Sequence, residues 1–304
     1  MRLALLAVLV LLAPAARAQS VEELQRLLKE RDTKIRELNA ALEQKTTPAD
    51  EELDRALERT LVQQGAMVLP AGSFELAPQV SYAHWDSDRG PLRDEWDATL
   101  AFRAGFGRGW QFQAAVPYVH LSTATDSASG VGDVSLTLSK QLLDEEGNRP
   151  AFVASVGWVA RTGRDGFDGN VPTGGGFNVL QTSLTATKRA DPLVYFGGLS
   201  YSLPQAREVS GVHTEPGNAF GVRGGAVLAA TPHASVNAGL NLAFVGASRV
   251  GGIRVSDSDT VLGALQVGLS TILSRRVMLN VSGEFRVSGP LPNFRLAVAF
   301  PIRF

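Results

Sequence analysis

Two residues near the middle of the chain have the types and spacing of a minimal acyl-transfer pair. His120 and Ser122 are two residues apart, so on a strand both would lie on one face. A histidine base beside a hydroxyl can activate a serine nucleophile. No Asn or Asp is identifiable as the group that would orient His120, and Thr123-Ala124 follows the serine directly. We therefore expect the protein not to be an enzyme and keep lipid hydrolysis as a minor alternative.

The other patterns that could carry chemistry are incomplete. No helical pattern follows Gly105-x-Gly107-x-Gly109, and Gly174-Gly175-Gly176 lacks the Lys-Ser/Thr of a phosphate loop. The four histidines show no metal-ligand spacing, and the chain has no cysteine, so disulfides and thiolate chemistry are excluded. We expect no metal and no cofactor. The net charge of −1 argues against a nucleic-acid partner, which requires a basic surface.

The elements that must position any site are strands, and the clearest of them is the last. In residues 293–304 the apolar residues occupy every second position, and the positions between them are polar, small or charged. Side chains alternate between the two faces of a strand, so this segment has one apolar face and one polar face. The apolar positions are Phe294, Leu296, Val298, Phe300, Ile302 and Phe304.

The same alternation recurs from residue 66 to the C-terminus. It predicts an all-β fold, a transmembrane antiparallel up-and-down β-barrel of about twelve strands over residues 66–304. The connections between strands alternate in length, as they do in barrels with short periplasmic turns and long extracellular loops. The short ones are 107–109, 189–191, 231–233 and 274–276; the long ones are 86–93, 123–130, 163–175, 205–215 and 247–257.

The first 64 residues follow a different pattern. Residues 1–18 have the charged start, apolar core and small-x-small end of a signal peptide. Residues 19–64 read as a periplasmic α-helical coiled-coil stalk that precedes the barrel. Residues 21–42 either self-associate or form a solvated amphipathic spacer helix. A second helix over residues 50–64 is expected to be a tether or a plug at the periplasmic mouth. The heptad seam of the first helix is Val21, Leu24, Leu28, Ile35, Leu38 and Leu42.

One set of motifs resembles a known family. Ala115-Val116-Pro117-Tyr118 is followed by Gly130-Val131-Gly132-Asp133 at the start of a strand, and Pro150 opens the next strand after a charged turn. This pattern is similar to the outer-membrane family labelled the MetA pathway of phenol degradation, and it covers about residues 66–304. The resemblance implies a transporter. Where the family pattern has Pro-Thr-Gly, this chain has Arg161-Thr162-Gly163.

The alternation also assigns ten charged residues to the inside of the barrel, since a charge facing lipid is costly. Arginine outnumbers acid in this set. The residues either pair across a narrow lumen and hold the wall rigid, or form an electropositive constriction that favours anionic solutes. Phe196 and Leu262 also face inward and either contact an aromatic solute or pack against the stalk or a loop. The ten are Glu75, Asp97, Arg103, Asp133, Arg161, Arg223, Glu284, Arg286, Arg295 and Arg303.

These patterns together predict a passive channel for small aromatic or anionic solutes in the outer membrane of a Gram-negative bacterium. The alternative is a structural anchor that presents the periplasmic coiled coil. A minor alternative is a phospholipase, because His120-x-Ser122 is similar to the His-x-Ser of outer-membrane phospholipase A. The expected partners are outer-membrane lipid and lipopolysaccharide. The aromatic C-terminus, Phe304, resembles the signal that barrel-insertion machinery reads in this class of protein.

Overall fold

The structure, a computed structural model, describes residues 29–31, 33–34, 57–86, 92–167, 169 and 171–304. The chain divides into two compact units, Met1–Glu51 and Glu52–Phe304. In the first unit the described residues are helical, and the Thr33 hydroxyl donates to the Lys29 carbonyl at 2.8 Å. The predicted signal peptide and all the apolar heptad positions lie outside the described residues. No helix in the described part of the chain is long and apolar enough to cross a membrane.

Within its described residues, the second unit contains one short helix, residues 57–63, and eighteen strands. The first nine strands are β1 (Phe74–Trp85), β2 (Arg93–Phe106), β3 (Trp110–Thr123), β4 (Ser127–Val131), β5 (Val134–Leu143), β6 (Ala151–Ala160), β7 (Val179–Ala190), β8 (Leu193–Pro204) and β9 (Arg207–Val209). The other nine are β10 (Val212–Glu215), β11 (Ala219–Thr231), β12 (Ala234–Val245), β13 (Arg249–Val250), β14 (Ile253–Arg254), β15 (Thr260–Ile272), β16 (Met278–Ser288), β17 (Phe294–Ala299) and β18 (Ile302–Arg303).

Fourteen of these strands form a closed antiparallel wall. Each strand pairs with its neighbour along the chain, and β1 pairs with both β17 and β18, which closes the barrel. Strands β4 and β5 are one wall strand interrupted at Gly132-Asp133, and β17 and β18 are one strand interrupted at Phe300-Pro301. The wall therefore has twelve strands, and the predicted antiparallel barrel is confirmed. Strands β9, β10, β13 and β14 form a separate small sheet.

The alternation of side chains decides which face of each strand is apolar. In β2, Trp96 and Leu100 are 52% and 50% exposed on the outside, whereas Arg103 on the opposite face is 9% exposed. The pairing of β1 with β2 places Glu75 beside Arg103 and Leu76 beside Phe102, so neighbouring strands keep the same faces together. A closed wall of this kind satisfies its backbone hydrogen bonds internally, which a lipid environment requires.

The two ends of the barrel differ. One end carries the tight connections between β2 and β3, β7 and β8, and β11 and β12, and we call it the short-turn end. The opposite end carries the long connections, including residues 161–178 between β6 and β7, and we call it the long-loop end. The helix at residues 57–63 leads into β1 from the short-turn end, where the C-terminal strand also finishes.

Candidate functional site

A helix from the N-terminal side of the wall lies inside the barrel at its short-turn end. Leu57 and Leu61 are four residues apart and so lie on one face of the helix at residues 57–63. They are buried in one apolar cluster with Phe196 of β8 and Val227 of β11. Phe196 therefore packs against the N-terminal segment, which is one of its two predicted roles. We call residues 57–69 the plug.

Buried hydrogen bonds attach the plug to the wall. The hydroxyls of Thr60 and Ser235 are 2.7 Å apart, and these residues are 1% and 0% exposed. The Arg223 guanidinium donates to the Gln64 carbonyl at 3.0 Å and, through its other terminal nitrogen, to the Thr185 hydroxyl at 2.7 Å. Ser235 and Arg223 lie on the adjacent wall strands β12 and β11, and Thr185 lies on β7, so these bonds fall within four neighbouring strands of the wall.

Glu75 lies at the centre of a charged cluster where the wall closes. Its Oε1 is 2.6 Å from Nη1 of Arg103 on β2, and its Oε2 is 3.8 Å from Nε of Arg303 on β18. The plug joins this cluster, since the Gln63 amide donates to Glu75 and accepts from Arg103, both at 2.7 Å. Arg303 also binds Glu58 of the plug at 3.0 Å. These contacts link the first two wall strands, the last strand and the plug.

The segment at the end of the plug packs so closely against the wall that one wall position must be glycine. A Cβ at Gly105 of β2 would lie 2.2 Å from the Pro70 carbonyl oxygen and 2.5 Å from that of Leu69. The backbone at Leu69 and Pro70, where the chain leaves the plug, therefore lies directly against β2. The Leu69 amide donates to the Gln111 side chain at 2.8 Å, which holds the same segment against β3 as well.

A second ion-pair group lies nearer the long-loop end. Arg295 of β17 binds Glu95 of β2 at 3.2 Å, and Arg93 binds the other oxygen of Glu95 at 2.8 Å. The ion pair between Arg295 and Glu95 crosses β1 at Ala83. Ala83 is the cross-strand neighbour of both residues and is fully buried beneath their side chains. The small side chain of Ala83 leaves the space that the longer side chains need.

The Gly-x-Gly-Asp motif anchors a loop that folds inward. We call residues 161–167, 169 and 171–178 the inward loop. The Asp133 carboxylate accepts from the Gly163 amide at 2.9 Å and from the Gly175 amide at 2.6 Å, so it holds both limbs of the loop. A Cβ at Gly174 would lie 2.4 Å from Asp133 Oδ1, so this position requires glycine. Val171 of the loop is buried against the inner face of β3.

Two further contacts hold the inward loop. The Thr162 hydroxyl donates to the Gly132 carbonyl at 2.7 Å. Thr162 and Gly163 are the two residues that this chain shares with the Pro-Thr-Gly of the family pattern. Arg207 of β9 binds Asp165 at 2.6 Å, and its guanidinium lies over the rings of Phe167 and Phe177 at 5.1 and 5.5 Å. The inward loop is thus fixed at its base by β4 and β5 and at its far side by the small sheet.

The ten charged residues predicted to face the lumen do not form one ring. Glu75, Arg103 and Arg303 meet at the short-turn end, and Arg295 binds Glu95 towards the other end. Asp133 and Arg161 belong to the base of the inward loop, where the Arg161 amide donates to Asn178 at 2.9 Å. Asp97 accepts from Thr99, and Arg286 donates to the Leu291 carbonyl. Neither Glu284 nor Arg223 has an ion-pair partner among the described residues.

The sequence analysis did not identify the uncharged amide side chains of the site. Amide side chains from the plug and from the inner face of the wall surround a cavity of about 170 Å³ behind the plug. A larger cavity of about 640 Å³ lies between the other side of the plug and strands β5 to β8, with Leu61, Met67 and Thr187 in its lining. The amides occupy the same alternating positions as the inward charges, so the strand pattern could have identified them.

The proposed acyl-transfer pair is not assembled. The Nδ1 atom of His120 lies 2.7 Å from the hydroxyl of Ser129 on β4, and Ser122 is paired with Asp94 on β2. Asp94 itself binds His84 at 2.8 Å and accepts from Tyr82 at 2.6 Å. In the described part of the chain no group of three or more metal-ligating side chains is found. The histidine is therefore used in a wall contact instead of beside Ser122.

Comparisons with known proteins agree with this architecture. An outer membrane channel from Pseudomonas putida F1 superposes with a TM-score of 0.69 at 17% identity, covering 78% of this chain and 97% of that one. The translocator domain of the autotransporter NalP from Neisseria meningitidis gives a TM-score of 0.51 at 15% identity, covering 86% and 100% of the two chains. At these identities the likeness shows the fold.

The family comparison concerns the first half of the wall together with part of the plug. Residues 63–192 match the family model described as "Putative MetA-pathway of phenol degradation". This range contains the Gly-x-Gly-Asp motif at 130–133 and both limbs of the inward loop that Asp133 holds. The resemblance to this family that the sequence motifs predicted is thereby confirmed over residues 63–192.

Proposed function

We propose that the protein is a passive channel for small solutes in the outer membrane of a Gram-negative bacterium. The observation that carries this proposal is a closed wall with an apolar outside and a polar inside, crossed at one end by a plug held mainly by polar contacts. A barrel that served only as an anchor would need neither a hydrated lumen nor an inward loop. The likeness to a solved outer membrane channel supports the same function.

The plug restricts the lumen and leaves a passage beside it. Its polar contacts include the Thr60–Ser235 bond, the bonds of Gln63 and the ion pair between Glu58 and Arg303. The cavity of about 640 Å³ lies on the side of the plug that faces β5 to β8. A passage of this size admits small solutes, and we infer that larger flow requires movement of the plug. We place the residues before the plug in the periplasm.

The charge arrangement bears on solute choice. Arg103, Arg295 and Arg303 all have carboxylate partners, so ion pairs neutralise half of the six arginines predicted to face the lumen. Arg223 is the cation near the middle of the lumen without such a partner in the described chain. We therefore propose a weak preference for anions that depends on Arg223. The apolar part of the larger cavity, Leu61 with Met67 and Val68, would suit the body of an aromatic solute.

Planar-bilayer recordings of the full mature chain test the channel. We expect ion conductance in potassium chloride, and a larger conductance after deletion of residues 19–64, because that deletion removes most of the plug. A matched deletion of residues 19–50 leaves the plug in place and should conduct like the full chain. Absence of current from all three proteins, with the barrel shown to be inserted, would overturn the channel in favour of the anchor.

The anchor is the second candidate because the plug is firmly attached. Its contacts reach β1, β11, β12 and β18, so a force on the N-terminal segment would be transmitted to the wall at several points. Phospholipase activity has no comparable support, because His120 contacts Ser129. We expect the purified protein to release no fatty acid from phospholipid vesicles in the presence of calcium.

A further inference from the structure

We propose that the amide-lined chamber behind the plug is a binding subsite for small uncharged polyhydroxy solutes. This inference rests on the channel function proposed above and names a solute class for it. The chamber has a volume of about 170 Å³. Its amide side chains come from the plug and from four wall strands, β1, β12, β15 and β16, and they are Gln63, Gln64, Gln79, Asn237, Gln266 and Asn280.

The strand register brings these amides together. Gln79 lies on β1, Gln266 on β15 and Asn280 on β16, and each has the inward orientation of its strand. The inner positions beside them are small, including Ser282 and Ala297, which are cross-strand partners of each other. Small residues at these positions leave the space into which the amides project. The chamber is thus built from alternation in β1, β12, β15, β16 and β17.

The chamber offers no unpaired charge among the residues that line it. Arg103 is its one charged lining residue, and its Nη1 is 2.6 Å from Glu75 Oε1. Gln63 bonds both members of this pair, which uses part of their remaining hydrogen-bonding capacity. An anionic or cationic solute entering the chamber would lose water without gaining an opposite charge, which is unfavourable.

The chamber's hydrogen-bonding groups match hydroxyls. A side-chain amide has both donors and acceptors, and a hydroxyl can serve as either. A carboxylate only accepts and an ammonium only donates, so each would leave half of the amide groups unpaired.

The size of the chamber limits the solute. Pockets for drug-sized ligands start at roughly 300 Å³, so a chamber of about 170 Å³ suits a smaller molecule. A four-carbon polyol such as erythritol has several hydroxyls within that size. Erythritol and threonate, a singly charged four-carbon hydroxy carboxylate, therefore form a pair of probes that differ in charge and in the configuration at one carbon.

Proteoliposome swelling with the full mature chain tests the subsite. We expect faster swelling in erythritol than in sodium threonate. Gln79→Leu and Asn280→Leu should each slow erythritol entry by about threefold, the change expected from losing one hydrogen bond. Gln181→Leu is the matched control, because Gln181 faces inward on β7 without lining the chamber. Its swelling rates should equal those of the unmodified protein.

Potassium chloride conductance of the same preparations separates the possible failures. A single substitution in the lumen removes about one hydrogen bond, so it should change the conductance by no more than about twofold. A variant with conductance in that range is folded and inserted. Equal erythritol rates for the Gln79 and Gln181 variants, or equal rates for erythritol and threonate, would overturn the subsite while leaving the channel intact. Absence of both conductance and swelling from the unmodified protein would overturn the channel itself.

Discussion

Glu75 and Arg103 face each other across the first two strands of the wall, with 2.6 Å between Oε1 and Nη1. Glu75 is 2% exposed, and Gln63 of the plug bonds both side chains. Arg303 approaches the same carboxylate from the last strand. One buried acid therefore contacts the start of the barrel, its end and the segment that blocks it.

Glu75→Gln should destabilise the barrel strongly. The substitution keeps the shape of the side chain but leaves Arg103 without its carboxylate in a buried site, and breaking such a pair typically costs about 3–5 kcal/mol. Urea unfolding in lipid vesicles, followed by tryptophan fluorescence, measures the change. Glu146→Gln is the control, because Glu146 forms an exposed ion pair with Arg149 and should change the midpoint little. Equal midpoints for the two variants would contradict the structural role of Glu75.

A disulfide between Thr60→Cys and Ser235→Cys should hold the plug in place. The two hydroxyls are 2.7 Å apart, and the chain has no cysteine of its own, so an introduced pair has no competitor. We expect the oxidised double variant to conduct steadily at a low level and reduction to restore conductance fluctuations. Each single variant serves as the control and should respond to neither treatment. A redox-insensitive double variant with its disulfide formed would show that the plug does not move.

Asp133→Ala should release the inward loop. Its carboxylate accepts from two backbone amides on opposite limbs of that loop, and each hydrogen bond to a charged group is worth about 1.5–3 kcal/mol. We expect faster proteolysis within residues 161–178 and a higher conductance, with the barrel still resistant to detergent denaturation. Asp259→Ala removes an acid from another long connection, where it pairs only with the exposed Arg254. This control should leave both measurements unchanged.

Arg223→Gln should reduce anion preference more than Arg295→Gln does. Arg223 has no carboxylate partner in the described chain, whereas Arg295 is neutralised by Glu95 at 3.2 Å. The reversal potential in a salt gradient measures the preference directly. We expect the Arg223 variant to move the reversal potential towards that of a nonselective pore, with a smaller shift for Arg295. The opposite order would mean that the ion pair at Glu95 opens in the conducting state.

Much of the wall could be predicted because residues close together in the sequence determine the two faces of each strand. A period of two in hydrophobicity fixes which face of each strand meets lipid, and the number of strands follows from the turns between them. In β2, Trp96, Leu100 and Phe102 occupy alternate positions and are exposed on the outside, whereas Arg103 lies on the opposite face. The alternation in connection length likewise anticipated the two different ends.

The partners of the inward side chains could not be predicted in the same way. Arg295 reaches Glu95, which is 200 positions earlier in the sequence, only because the barrel closes and brings β17 beside β1. Charge composition indicated a positive lumen, but three of those six arginines pair with acids, and two of them, Arg295 and Arg303, do so across the closure of the barrel. The burial of Leu57 and Leu61 against Phe196 similarly depends on the plug entering the barrel, and a helical repeat does not indicate what its apolar face will contact.

The position of Gln63 has a consequence for assembly. Its amide needs Glu75 and Arg103 from the first hairpin, and the neighbouring Glu58 needs Arg303 from the final strand. The helix can therefore complete its contacts only after the two ends of the sheet have met. Docking of this helix therefore indicates that the barrel has closed, and in an incomplete barrel the helix would be undocked and accessible to proteases.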